Sequence, residues 1–207
     1  NGMSFQLITP FGQAQIRSHV IGRFNVSNML AVAGVLFARG LTLQKITALL
    51  ESLLAIPGRM QQLGGVEAPL AIIDYAHTPD ALENVLKTIE NIRTKNEQLI
   101  TVIGCGGNRD KAKRPIMAGI ATELSDKVVL TSDNPRNENP EIIIQEMELG
   151  VASQNYKKSL SILDRKQAIK TACQLAQAND IILIAGKGHE TYQEIQGVRH
   201  DFDDMKT

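Results

Sequence analysis

Hydrophobic positions along the chain follow two rhythms, and the change comes near Gly65. Residues 3–24 alternate loosely, as in MSFQLITP and QAQIRSHVIG, with Pro10 and Gly12 between the halves. That pattern predicts a β-hairpin. Residues 26–39, VSNMLAVAGVLFAR, predict a largely buried helix closed by Gly40. Thr42 is placed to cap a second helix, LQKITALLESLL, which stops near Pro57-Gly58. A hairpin and two helices make a poor independent core. The first 57 or so residues therefore read as the end of a domain.

Beyond Gly65, short apolar runs occur at 70–73 (LAII), 98–103 (QLITVI), 127–131 (KVVLT), 160–163 (LSIL) and 181–185 (IILIA). Their length and branched side chains predict strands. Helical periodicity fills the gaps. Residues 79–93 put Leu82, Val85, Leu86, Ile89 and Ile92 on one face, with Thr78 as N-cap and Pro79 in the first turn. Further helices fit 112–125, 139–152 and 165–178. Strands alternating with helices of this length predict an α/β fold, with a mainly parallel, Rossmann-like sheet covered on both faces.

Composition narrows the function classes. Of 207 residues 43% are apolar, enough for a sizeable core. Lys plus Arg equals Asp plus Glu at 22 each, and this neutrality argues against a nucleic-acid partner, which needs a basic surface. No apolar run reaches the roughly 18 residues that would cross a bilayer, and no basic amphipathic run points to membrane attachment. The first residues, NGMSFQLITP, lack the features of a signal peptide. Cys105 and Cys173 show no metal-ligand spacing and read as free thiols of a cytoplasmic protein. Cys173 reads as a small buried hydrophobe, whereas Cys105 sits in a Gly loop.

The polar clusters follow the strands. Asp74-Tyr75-Ala76-His77-Thr78-Pro79 follows the first, GCGGNRDK (104–111) the second, DNPR (133–136) the third and GKGHE (186–190) the last. In open α/β sheets ligands bind beyond the carboxyl ends of the strands, so four such loops outweigh any single one. Each has a plain reading too. GCGGNRDK serves either as an anion-binding nest or as a glycine turn, and it matches neither G-x-x-x-x-G-K-[ST] nor G-x-G-x-x-G. GKGHE also misses the phosphate-loop spacing. His77 and His189 could be structural, and DNPR could be a turn.

The groups in DNPR also suit a ligand. Arg136 offers a planar fork that fits a carboxylate. Asn134 offers a donor and an acceptor, and Pro135 restricts the loop. Arg109 and Glu190 on neighbouring loops add a cation and an anion. An amino-acid zwitterion fits this set.

The ordered series GRFNVSN (22–28), IPGRMQ (56–61), DYAHTPDAL (74–82), GCGGNRDKAKRP (104–115), DNPR (133–136) and AGKGHE (185–190) resembles the Mur ligases along essentially the whole chain. Among them it is most similar to those that add meso-2,6-diaminopimelate to UDP-N-acetylmuramoyl-L-alanyl-D-glutamate. The resemblance implies that residues 1–57 are the C-terminal part of a central ATP-binding domain and residues 58–207 the amino-acid-binding domain. It implies an ATP- and Mg²⁺-dependent reaction through an acyl phosphate, by a cytoplasmic and monomeric enzyme of peptidoglycan precursor synthesis. The P-loop, the Mg²⁺ ligands and a carbamylated lysine would lie upstream, so the chain alone is expected to be inactive, with Pro57-Gly58 as the hinge of the full enzyme. By resemblance, Asn28, Arg59, Asp74 and His77 contact ATP. Arg109, Asp133, Asn134, Pro135, Arg136, Gly186 and Glu190 hold diaminopimelate, Glu190 by an ammonium group. No residue is assigned as a metal ligand or a general base. Lysine lacks the second carboxylate of diaminopimelate, and a desolvated site built around that group would reject it by about 10⁴-fold. Lysine-adding and folylpolyglutamate-type ligases are alternatives that DNPR weighs against. A non-catalytic nucleotide-binding module is another.

Overall fold

The computed structural model describes residues 2–65 and 67–207. The chain folds as two compact units, Asn1–Ile56 and Pro57–Thr207.

In the first unit, β1 (Met3–Thr9) and β2 (Gly12–Ser18) pair antiparallel, and α1 (Arg23–Ala38) and α2 (Leu43–Glu51) follow. Thr42 caps α2 as its sequence predicts, its hydroxyl accepting from the Lys45 N–H at 3.4 Å. Leu7, Ile16, Val20, Met29, Ala33, Ile46 and Leu50 form a small core. The expectation of a largely buried α1 is corrected here. Only Met29 and Ala33 are buried on it, while Leu30, Val32 and Val35 are exposed. A helix this rich in apolar residues needs partners on several sides to be largely buried, and this unit supplies them on one side only.

The second unit is built on a six-stranded sheet in the order β3 (Gln61–Gly64), β4 (Leu70–Asp74), β8 (Ile181–Ala185), β5 (Leu99–Cys105), β6 (Lys127–Ser132) and β7 (Ser159–Ser161). All neighbours are parallel except β3, which pairs antiparallel with β4 at the edge. Every residue of β5 and β8 is buried, which is why their sequences are continuous apolar runs rather than alternating ones. The helices α3 (Pro79–Ile92), α4 (Lys113–Leu124) and α5 (Pro140–Glu148) pack in a row. On the other face α6 (Arg165–Leu175) buries Ala168, Ile169 and Ala172 against Ile100, Val102, Val129, Ile182 and Ile184. These strand residues alternate with those facing the row, so helices cover both faces. No helix among the described residues is long and apolar enough to cross a membrane.

Cys173 is exposed on α6, against the expectation of burial, because the buried stripe of that helix runs through its alanines. The α5 helix ends at Glu148, and residues 153–158 form a 3-10 turn. Two features have no counterpart in the apolar pattern: β3, and a hairpin of β9 (Tyr192–Ile195) and β10 (Val198–Asp201). Both are short and polar, and none of their residues is fully buried.

Near the chain's end, Arg165 and Asp204 form an ion pair with both side chains fully buried. Nε and Nη2 of Arg165 meet the two carboxylate oxygens at 2.8 and 2.7 Å. Nη2 also donates to the carbonyl of Ala185 at 3.1 Å, so the pair ties residue 204 to the end of β8. Removing one partner would strand a charge in the core. Asp204→Asn is expected to lower the unfolding free energy by about 3–5 kcal/mol, while joint replacement by Met and Leu lowers it less. Urea unfolding of the two variants checks this, and equal losses would contradict it.

Candidate functional site

β8 lies between β4 and β5, so the α3 crossover passes over it while α6 returns on the opposite face. The chain segments leave the sheet edge in opposite directions, and a crevice remains at the carboxyl ends. There a cleft of about 700 Å³ opens. Arg109, Asp133, Asn134, Arg136, Gly186 and Glu190 line it, together with His77. Pro135 is buried behind the wall.

Arg109 and Arg136 share one feature of that wall. A methyl group added to Gly106 would sit 2.9 Å from Nη1 of Arg136 and 3.8 Å from Cγ of Arg109, so both side chains flank the same glycine. Arg136 is partly satisfied already. Its Nη1 donates to the Gly107 carbonyl at 2.9 Å, and its Nε lies 3.6 Å from a Glu194 oxygen. Arg109 is exposed, and no hydrogen bond or ion pair holds its guanidinium among the described residues. Arg136 adopts φ 50°, a left-handed conformation unusual for a side chain of its size. The β9–β10 hairpin holds it there: the Arg136 N–H donates to the Glu194 carbonyl at 3.0 Å, and the Gln196 N–H donates to the Arg136 carbonyl at 2.7 Å.

Asn134 is oriented without ambiguity. Its Oδ1 accepts from the backbone N–H of Glu194 at 2.9 Å and from Nζ of Lys187 at 3.2 Å. Both of these groups can only donate, so the oxygen must face them. Nδ2 donates to Glu190 Oε2 at 2.8 Å. With both oxygen lone pairs engaged, Asn134 presents one remaining N–H to a ligand and no acceptor. The sequence reading, which credited it with both, is corrected.

Glu190 is not a free carboxylate either. Its Oε2 also receives Nζ of Lys187 at 3.2 Å, which leaves Oε1 for a ligand cation. Lys187 is fully buried beneath the cleft and also lies 5.6 Å from the Tyr192 ring centre. Asp133 is buried, and a methyl on Gly186 would come within 2.8 Å of its Oδ2. That close approach explains a glycine at 186 with φ 111°.

The loops of β5 and β6 are stitched together below the arginines. Arg114, fully buried on α4, donates to both oxygens of Glu138 at 3.0 and 2.9 Å, to the Gly106 carbonyl at 3.2 Å and to Glu146 on α5. Glu138 also accepts the Asn108 N–H. The Arg114 guanidinium and that N–H hold the Glu138 carboxyl down at about 2. It is therefore ionised throughout the physiological range.

A second cluster sits around the end of β4. The Arg59 guanidinium lies 5.0 Å from the Tyr75 ring centre, and the rings of His77 and His189 lie 4.6 and 5.2 Å from it. His77 Nδ1 lies 2.8 Å from the Tyr75 carbonyl and so carries its proton there. Asp74 faces inward: its oxygens accept the N–H groups of Met60 and Ala76, each at 2.8 Å. Burial raises its pKa against those two bonds. Asn28, in the first unit, is exposed and donates to Asn25 at 3.2 Å. Cys105 closes β5 with its thiol pushed up to about 12 by burial, which makes it an inert hydrophobe rather than a nucleophile. Among the described residues no group of His, Cys, Asp and Glu is placed to hold a metal ion.

Sequence reasoning missed Lys187, Arg114 and Glu138, the three charged residues that hold the wall in place. Glu138 stands two positions beyond DNPR and Arg114 lies within DKAKRP, but linear spacing does not reveal that they meet.

Comparison with known proteins agrees with this architecture. Residues 58–188 match the family described as Mur ligase, glutamate ligase domain. A UDP-N-acetylmuramoyl-L-alanyl-D-glutamate--2,6-diaminopimelate ligase of Phocaeicola vulgatus is 50% identical over 200 residues, covering 97% of this chain and 41% of the relative. A protein of the same description from Cytophaga hutchinsonii is 56% identical over 185 residues, covering 89% of this chain and 38% of the relative. A solved structure of such a ligase superposes with a TM-score of 0.71 at 45% identity, covering 98% of this chain and 41% of that one. A folylpolyglutamate synthase of Thermotoga maritima, at 19% identity and a TM-score of 0.69, shares the fold; the match covers 89% of this chain and 41% of that one. The chain thus spans about two fifths of the length of these relatives. It belongs to the Mur ligase family.

Proposed function

We propose that this chain is the amino-acid-delivering part of a ligase that joins meso-2,6-diaminopimelate to UDP-N-acetylmuramoyl-L-alanyl-D-glutamate, and that it does not catalyse the reaction alone. The observation that carries the reading is the convergence of Arg109 and Arg136 on Gly106 in one cleft, beside the Asn134–Glu190 pair. Diaminopimelate carries two amino-acid ends. One is read by Asn134, whose free N–H needs an acceptor, and by Glu190 Oε1, which needs an ammonium group. The two guanidinium groups then take the carboxylate of that end, which lysine lacks.

ATP, when bound, supplies the phosphoryl group that activates the acceptor carboxylate. Arg59, Tyr75 and His77 offer a cation and aromatic faces suited to a nucleotide, and Asp74 holds their loops through Met60 and Ala76. By family resemblance, the Mg²⁺ ligands are assigned to residues outside this chain. The part played by these residues is orientation: a bound amine held in one pose reacts as an intramolecular partner.

Magnitudes follow from exposure. Arg136 keeps two protein partners and Arg109 faces water, so losing the ligand carboxylate strands less charge than a sealed site would. Discrimination against lysine through one charged hydrogen-bonding group is then about 10²-fold rather than 10⁴-fold. In the complete protein, Arg136→Ala is expected to reduce the kcat/KM preference for meso-diaminopimelate over L-lysine by about that factor. An unchanged preference in the competition assay would sink the reading.

Lys187→Met should leave the Glu190 carboxylate without its counter-charge. We expect KM for the amine to rise at least about tenfold with kcat little changed, since positioning of a bound ammonium is what fails. A loss confined to kcat would contradict the role given to Lys187. Calorimetry of the isolated chain should show diaminopimelate binding more tightly than lysine; the reverse order would count against the assignment.

A further inference from the structure

We infer that Glu138 is a positioning residue for amine selection: with Arg114 it clamps the loop carrying Arg109 to the loop carrying Arg136, so that both guanidinium groups meet one carboxylate. The inference rests on the diaminopimelate reading above.

The two arginines stand on separate strand-to-helix loops, and nothing covalent fixes their spacing. Non-covalent links do. The Gly107 N–H donates to the Asn134 carbonyl at 2.8 Å, and the Asn137 N–H donates to Asn108 Oδ1 at 3.0 Å. Glu138 is the strongest of these links because it is charged and many-sided. It accepts both arms of Arg114 and the Asn108 N–H, and Lys111 reaches it at 3.3 Å. Arg114 in turn fixes the Gly106 carbonyl, on the glycine that both ligand arginines flank.

The backbone shows why a clamp is needed. Asn108 at φ 52° and Arg136 at φ 50° both occupy the left-handed region. Such residues persist only when their surroundings over-determine them. Glu138 holds the Asn108 N–H directly, one residue before Arg109, and follows Arg136 by two residues. Its N–H donates to the Pro135 carbonyl at 3.0 Å, which closes the turn on which Arg136 stands. A carboxylate in this position transmits the place of one arginine to the other.

Glu146 supplies an internal control. It shares Arg114 but sits on α5 and, among the described residues, touches the ligand loops only through a 3.8 Å ion pair with Lys111. A purely structural role for the Arg114 cluster would make the two glutamates equivalent. A positioning role would not.

The test uses the complete protein with meso-diaminopimelate and L-lysine as alternative amines. Glu138→Gln should lower kcat/KM for diaminopimelate about tenfold, the scale of a small misplacement of binding groups, and leave lysine nearly unaffected. Glu138→Asp should recover part of the preference. Glu146→Gln should keep it while losing comparable thermal stability. Hydrogen exchange at the Asn108 amide should speed up in Glu138→Gln but not in Glu146→Gln. Equal losses for both amines, or equal effects of the two Gln variants on selectivity, would overturn the inference. If Arg136→Ala leaves the preference intact, the functional reading itself fails, a result separable from failure of the clamp alone.

Discussion

The arrangement depends on holding two arginine-bearing loops against one glycine. Arg109 and Arg136 approach the same glycine from different loops, the first with its Cγ and the second with its Nη1. Charged side chains hold the two loops in place. Glu138 lies under the first loop and Glu194 beside the second, while Arg114 and Glu146 complete the network below. A guest carboxylate would join a field already shaped for it. Burial of Arg114 matters here: in a partly dry setting its bonds to Glu138 are stronger than the same pair would be on an open surface.

The opposite wall obeys the same logic with reversed signs. Lys187 is buried and faces Asn134 Oδ1 and Glu190 Oε2, so a cation beneath the floor fixes an amide and a carboxylate above it. The wall thereby gains a definite polarity, a lone N–H beside a free carboxylate oxygen. On the proposed reading, the cleft would distinguish the two charged groups of an amino acid by position. The sheet topology makes this possible, because insertion of β8 between β4 and β5 brings the GKGHE loop opposite the loops of β5 and β6.

Much of the fold was legible in the sequence for a physical reason. Strands buried on both faces must be largely apolar, and β4, β5, β6 and β8 read accordingly, whereas the edge strand β7, Ser159–Ser161, buries no residue. The cap at Thr78 was equally plain, and its hydroxyl accepts from the Ala81 N–H at 3.4 Å. The polar strands β3, β9 and β10 were hidden because their stability comes from backbone pairing with a neighbour rather than from their own apolar content. The environment of α1 was misjudged because an apolar helix does not say how many sides are covered. Similarly, the site loops could be placed at the sheet edge from strand order alone. The charges that hold the wall could not, since Lys187, Arg114 and Glu138 look like any solvated residue until the partner that satisfies them is known.

The central claim is that one guest carboxylate engages both arginine side chains. The most direct measurement is nuclear magnetic resonance of the ¹⁵N-labelled chain, following the side-chain Nε–H signals of Arg109 and Arg136 during titration with meso-diaminopimelate and, separately, with L-lysine. The account predicts that diaminopimelate moves both signals along one saturation curve and that lysine moves neither appreciably. Movement of only one signal, or equal movement with lysine, would contradict it.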